Sequence, residues 1–200
     1  MSTTTRWTSA DLESLPDDGT RYEIIDGELF MSTQPSFYHQ AVCTKLLVVL
    51  SNWDIAANTG RVVMAPGLIF AEDDDVAPDI VWISNERLAL CLKPDGELHD
   101  APELVIEVLS PGRANERRDR VAKLGLYSRR GVNEYWIVSW QTRTVDVYRT
   151  DEGALKLAGN LAETDTLESP LLPGFSCRVA ALFERIPVAN DHTEIQWHKC

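Results

Sequence analysis

Two carboxylates stand where a β-strand ordinarily has none. In Pro-Asp-Ile-Val-Trp-Ile-Ser (78–84), Asp79 alternates with Val81 and Ile83 on one face of a predicted strand. In Glu-Leu-Val-Ile-Glu-Val-Leu (103–109), Glu107 alternates with Val105 and Leu109. Acids are poor strand formers, and an ionised carboxylate taken out of water must find a cation or hold a proton. Neighbouring strands in one sheet would bring Asp79 and Glu107 together. Two close acids stay ionised together only when a cation joins them, and a hard divalent ion with oxygen ligands meets that need. Read singly, Asp79 is equally a strand-end residue after Pro78, and Glu107 a half-buried acid paired with a nearby arginine.

Further polar residues could complete such a site. His39 lies three residues before Val42 and continues an apolar helical stripe, where a satisfied core histidine is the plainer reading. Glu23, between Tyr22 and Ile24, sits on an exposed hairpin or points inward. On a helical wheel Lys123 points away from the face shared by Val121, Leu124 and Ser128. Its plainest reading is an exposed i,i+4 pair with Asp119, contributing about 0.3–0.5 kcal/mol; its functional reading is a cation over a metal-bound phosphate. Arg113, Arg117, Arg118 and Arg120 crowd the same helix, either as a solvated face or as bidentate phosphate ligands.

The elements that must position these residues follow from the apolar period and the turn residues. Ser9 is a candidate N-cap for a short helix over 10–15, stopped by Pro16. Asp26-Gly27 marks a hairpin between strands at 21–25 and 28–31. Ser36 opens a long helix to about Trp53, with Val42, Leu46, Val49, Leu50 and Trp53 at helical spacing. Strands are predicted at 61–70, bent at Pro66-Gly67, and at 76–83, 103–109, 134–138 and 144–148, with the acidic run 72–75 as a loop. A basic helix covers 114–129 and closes at Gly131, and a last short helix lies near 179–184. This order predicts an α/β fold, a mixed β-sheet flanked by helices. One domain over 1–186 and an aperiodic, mobile tail over 187–200 are the expected organisation.

Composition excludes several classes. With 200 residues, 44% hydrophobic and 25% charged, the chain can bury a core without disulfides or metal. No apolar run is long enough to cross a bilayer, and the first residues lack the apolar core of a secretory signal. Cys43, Cys91, Cys177 and Cys200 show no CxxC pairing, which argues for reduced thiols in a cytoplasm and against a zinc site. The net charge of −12 repels phosphate at long range. Between Arg113 and Arg130, however, seven cations meet two acids, so that segment is net +5 and the rest −17. Any polyanion site belongs near this segment.

Taken together, the motifs resemble the Uma-type family of restriction-endonuclease-like proteins within the PD-(D/E)XK nuclease superfamily. The matching stretches are Arg-Tyr-Glu-Ile-Ile-Asp-Gly-Glu-Leu (21–29), His39, residues 78–84 and 102–111, Arg-Asp-Arg-x-x-Lys-x-x-x-Tyr (118–127), Gly-Val-Asn-Glu-Tyr-Trp-Ile-Val (131–138) and Leu-Pro-Gly-Phe (172–175). The resemblance spans Trp7 to about Phe183 and implies a restriction-endonuclease-like fold. It implies that Asp79 and Glu107 bind Mg²⁺ or Mn²⁺, that Lys123 is the catalytic lysine moved onto the helix, and that Glu23 and His39 complete the site. Leu109 stands where the superfamily motif has its usual lysine. The implied activity is phosphodiester hydrolysis in nucleic acid, with DNA as the expected substrate, the arginines of 113–120 gripping its backbone, and a homodimer allowed. The alternatives are a catalytically silent nuclease fold that binds DNA or protein, and a purely structural dimerisation protein.

Overall fold

The computed structural model describes residues 6–187. A six-stranded mixed sheet carries the structure, in the order β10-β9-β8-β7-β6-β3. Its strands are β3 (Gly60–Met64), β6 (Ile80–Ser84), β7 (Leu104–Val108), β8 (Glu134–Ser139), β9 (Thr144–Asp151) and β10 (Ala154–Leu161). Only β7 and β8 run parallel, because the helical segment 113–130 crosses over between them. A smaller antiparallel sheet contains β1 (Arg21–Ile25), β2 (Glu28–Ser32), β4 (Leu68–Ala71) and β5 (Asp74–Val76), in the order β2-β1-β5-β4. Asp26 and Gly27 both take positive φ, 53° and 75°, as a two-residue hairpin turn requires. A short ribbon, β11 (Thr166–Glu168) with β12 (Ser176–Arg178), closes the C-terminal side.

Helices cover both faces of the large sheet. Helix α2 (Phe37–Ala57) starts at Ser36, whose hydroxyl accepts the His39 N–H at 3.3 Å, and ends at Asn58 in the left-handed region. Its stripe of Val42, Leu46 and Leu50 packs on Ile80, Trp82, Leu104, Ile106 and Val108. The alternate residues Val81, Val105 and Ile137 face Leu126 and Tyr127 of α5 (Leu124–Arg130). Period-2 alternation therefore splits one sheet between two apolar layers.

The structure revises several sequence expectations. The first helix, α1, spans Ser9–Leu12 with Thr8 rather than Ser9 as its N-cap, since the Asp11 carboxylate accepts the Thr8 N–H at 2.8 Å. The acidic run 72–75 is not all loop: Asp74 and Asp75 enter β5. Asp74 tolerates burial because Arg130 and the Asp26 N–H satisfy its carboxylate. The strand expected over 76–83 is broken. Val76 ends β5 in the small sheet, and β6 begins at Ile80 in the large one. Pro78 supplies the break, having no N–H for a ladder. The strand expected over 61–70 divides likewise between the two sheets at Pro66-Gly67. Helix α3 (Asn85–Cys91), β10 and the β11–β12 ribbon were not foreseen. Of the expected tail, only Pro187 lies among the described residues.

Gly60 marks where β3 leaves α2. A Cβ there would lie 2.4 Å from the Ile83 carbonyl oxygen and 2.7 Å from the Trp82 ring. Gly60→Ala is expected to lower stability by about 1–3 kcal/mol, as overpacking does; an unchanged urea midpoint would refute this.

Candidate active site

The break at Pro78 sets Asp79 at the seam between the two sheets. In the β6–β7 register Ile80 faces Ile106, so the next pair outward is Asp79 and Glu107, both on the face that carries Val81 and Val105. Asp79 Oδ2 accepts the Val108 N–H at 2.8 Å and lies 3.1 Å from His39 Nε2. Burial opposes its ionisation, but the His39 contact and the Val108 N–H outweigh it and hold Asp79 below the usual carboxylate range. A carboxylate only accepts, so Nε2 carries the hydrogen. Cys43 Sγ stands 3.6 Å from the other ring nitrogen, Nδ1. Burial pushes the Cys43 thiol up, which keeps its hydrogen in place. Thus α2 fixes Asp79 through two side chains one helical turn apart.

Glu107 is held from the opposite side. Lys123 Nζ lies 2.8 Å from Glu107 Oε1 and 2.7 Å from Glu23 Oε1. The Tyr127 hydroxyl donates to the same Glu107 oxygen at 3.0 Å, and the Ala77 N–H to Glu23 Oε1 at 3.0 Å. Lys123 is 1% exposed, so its reading as a surface pair with Asp119 fails. The wheel was turned the wrong way: Val121 is 61% exposed, and the buried face is Asp119, Lys123, Leu126 and Tyr127. Between α4 (Arg113–Arg117) and α5 the helix widens into a π turn over Arg118–Lys123, a feature frequent at functional sites. The Tyr135 hydroxyl donates to the Asp119 carbonyl within this turn at 3.1 Å.

Glu23, Asp79, Glu107 and Asp119 are buried together beside Lys123, Arg118 and His39, with Arg118 2.9 Å from Asp119 Oδ1 and 3.8 Å from Glu23 Oε2. Burial drives the Glu107 carboxyl well above the usual range despite Lys123, and burial raises Asp119 as well. Asp119 Oδ2 is buried without a partner among the described residues. The surrounding carboxylates hold Lys123 above the ordinary lysine value although burial works against it.

These side chains open on a cleft of about 150 Å³, where Glu23, His39, Asp79, Glu107, Arg118 and Lys123 meet. All five residues expected to be catalytic line it, and so do Arg21 and Ser110, for which no role was expected. One oxygen of Asp79 and one of Glu107 are bonded as described, while Asp79 Oδ1 and Glu107 Oε2 have no hydrogen-bond partner among the described residues. That pair of hard oxygens, within a cluster of buried carboxylates, fits a divalent cation. His39, Cys43 and Asp79 also bring their ligand atoms within 4.8 Å of one another. A thiol kept protonated by burial is a poor ligand, so the carboxylates are the better donors.

The basic segment is less free than its count implies. Arg113 and Arg117 are exposed. Arg118 turns into the cleft, Arg120 pairs with Asp146, Arg129 with Asp26, and Arg130 with Asp74. Arg120 is thereby tied to β9 rather than free to grip phosphate. Leu109 is buried in the core, and the ammonium that reaches Glu107 comes from the helix instead. Sequence reasoning assigned no role to Tyr127, and read Asp119 as a surface acid where it is buried. The spacing Asp119-Lys123-Leu126-Tyr127, i, i+4, i+7 and i+8, is the signal that could have found them.

A mixed sheet flanked by helices, with acids gathered at the end of two adjacent strands, is a nuclease-type architecture. The family model for Uma2, described as "Putative restriction endonuclease", matches residues 9–180, and the chain belongs to that family. Among solved structures, a "putative nuclease belonging to DUF820" from Anabaena variabilis superposes with a TM-score of 0.69 at 19% identity, covering 88% of this chain and 97% of that one. The type IIG restriction endonuclease BpuSI gives a TM-score of 0.41 at 16% identity, over 76% of this chain and 16% of that one. No curated protein matches the sequence.

Two stability measurements probe the charge cluster. Lys123→Ala leaves Glu23 and Glu107 buried without their ammonium and is expected to cost about 3–5 kcal/mol at neutral pH, less in acid; a loss under about 1 kcal/mol would show that the clamp is weak. Glu107→Gln tests the raised carboxyl. A folded-state value above the unfolded one gives stability that is present at low pH and lost as pH climbs through the raised value. The glutamine variant has no such loss, so its melting temperature should gain on the parent's as pH rises above the usual carboxylate range. A gap that moves the other way contradicts the assignment.

Proposed function

We propose that the protein is a divalent-metal-dependent nuclease that hydrolyses phosphodiester bonds of DNA in the cleft between Asp79 and Glu107. The observation that carries this reading is that Asp79 and Glu107 both line the cleft, each with one carboxylate oxygen free of hydrogen bonds among the described residues, beside an ammonium held against Glu107. Asp79 and Glu107 would hold Mg²⁺ or Mn²⁺, which when bound acts as a Lewis acid and supplies an activated water at neutral pH.

The chain's own groups do the rest. Lys123 presents a fixed positive charge beside Glu107, where a scissile phosphate would gather negative charge. Glu23 steadies that ammonium, and its other oxygen faces Arg118, whose guanidinium lines the cleft and can take a phosphate oxygen. His39, backed by Cys43, locks Asp79 Oδ2 so that Oδ1 keeps one direction. Tyr127 does the same for Glu107. Arg113 and Arg117, exposed about two turns and one turn before Arg120 respectively, would meet flanking phosphates without reading sequence. The buried free thiols Cys43, Cys91 and Cys177 suit a reducing cytoplasm, and no helix among the described residues is long and apolar enough to cross a membrane. A silent binding module has no use for four buried acids in one cluster, which speaks against that alternative.

Asp79→Ala and Glu107→Ala should each lower Mn²⁺-dependent cleavage of plasmid or oligonucleotide DNA by at least about 100-fold and abolish Mn²⁺ binding in calorimetry. Metal affinity should rise with pH, because burial raises the Glu107 carboxyl and a proton competes with the ion for it. Cleavage that survives in both variants would refute the site.

A further inference from the structure

A second cavity, also about 150 Å³, adjoins the acid-lined cleft and shares Ser32, Thr33 and Ser110 with it. Its remaining walls include Gln34, Ser36 and Asn115. No ionisable side chain lines it, in a chain of net charge −12. Two of its residues hold their own loops: the Ser36 hydroxyl accepts the His39 N–H, and Asn115 Nδ2 donates to the Pro111 carbonyl at 2.9 Å. The side chains of Ser32, Thr33, Gln34 and Ser110 make no hydrogen bond among the described residues, so their donors and acceptors are available. Phe37, which follows Ser36, is 67% exposed. Its ring meets Tyr38 edge-on at 6.0 Å, and Tyr38 stacks on Trp140 at 4.7 Å, so the exposed ring stands on an aromatic base.

Neutral donors and acceptors in a small cavity, with an exposed aromatic residue next along the chain from its wall, suit a nucleobase, and phosphate is better served by the cations of the cleft. The volume is well below the ~300–1,000 Å³ of a drug-sized pocket. A base drawn into it must first leave its pairing partner. We propose that this cavity takes one unpaired nucleobase next to the scissile phosphate, its edge read by Gln34 and the neighbouring hydroxyls and its ring plane laid on Phe37, the residue after Ser36. The inference rests on the nuclease reading above and narrows its substrate to single-stranded or locally unpaired nucleic acid.

The test compares the parent, Phe37→Ala and Gln34→Ala on two substrates in Mn²⁺. Bis(4-nitrophenyl) phosphate has a diester but no base. A mixed-sequence single-stranded oligonucleotide has both, and its cut sites can be mapped. Gln34 and Phe37 are exposed, so neither change threatens folding. The expected result is unaltered hydrolysis of the base-free diester in all three proteins. Oligonucleotide kcat/KM should fall about tenfold in Phe37→Ala, the scale of one lost base–aromatic stack, and the base preference beside the cut should flatten in Gln34→Ala. Variants that cut the oligonucleotide with the parent's rate and preference would overturn the base site and leave the nuclease reading standing. A parent that hydrolyses neither substrate would overturn both.

Discussion

A lysine ammonium buried between two carboxylates, Lys123 between Glu23 and Glu107, is the contact on which the site depends. It lies within a cluster of four buried acids, Glu23, Asp79, Glu107 and Asp119, beside Arg118 and His39. Burial raises the Glu107 and Asp119 carboxyls, so a fully ionised cluster here is costly unless cations neutralise it.

Each part of the fold contributes to that arrangement. The Pro78 break moves the chain from the small sheet to the large one and leaves Asp79 at the seam, and Ala77 beside it tethers Glu23 across the same seam. The antiparallel register of β6 and β7 sets Asp79 next to Glu107. The crossover between β7 and β8 brings Lys123 and Tyr127 over one face, and the N-terminal turn of α2 brings His39 from the other. The site is assembled from both sheets and two helices, so it exists only when these elements have docked.

The strand acids were legible because period-2 alternation places 79, 81 and 83, and 105, 107 and 109, on single faces regardless of residue type. His39 was legible for the same reason at helical period, since it extends the stripe of Val42, Leu46 and Leu50. Lys123 was not. A wheel anchored on Val121 points the lysine outward, whereas the structure exposes Val121 and buries a stripe that begins with two charges. Charged residues on a buried face look solvated until their partners are known, and those partners, Glu23 and Glu107, come from distant strands. Charge counting misled in the same way: it finds a basic helix, but not that Arg120 and Arg130 are met by acids from strands and Arg129 by Asp26 of the hairpin turn. The C-terminal strands β10 to β12 escaped because β10 is mostly exposed, and β11 and β12 have three residues each, too few for a period to show.

The most direct measurement is a crystal structure of the protein soaked in Mn²⁺, with the ion located by its anomalous scattering. The expected result is one peak within about 2.0–2.3 Å of a carboxylate oxygen of both Asp79 and Glu107, with Lys123 still in contact with Glu23. No peak in the cleft, or a peak held by His39 and Cys43 and out of reach of Glu107, would contradict it.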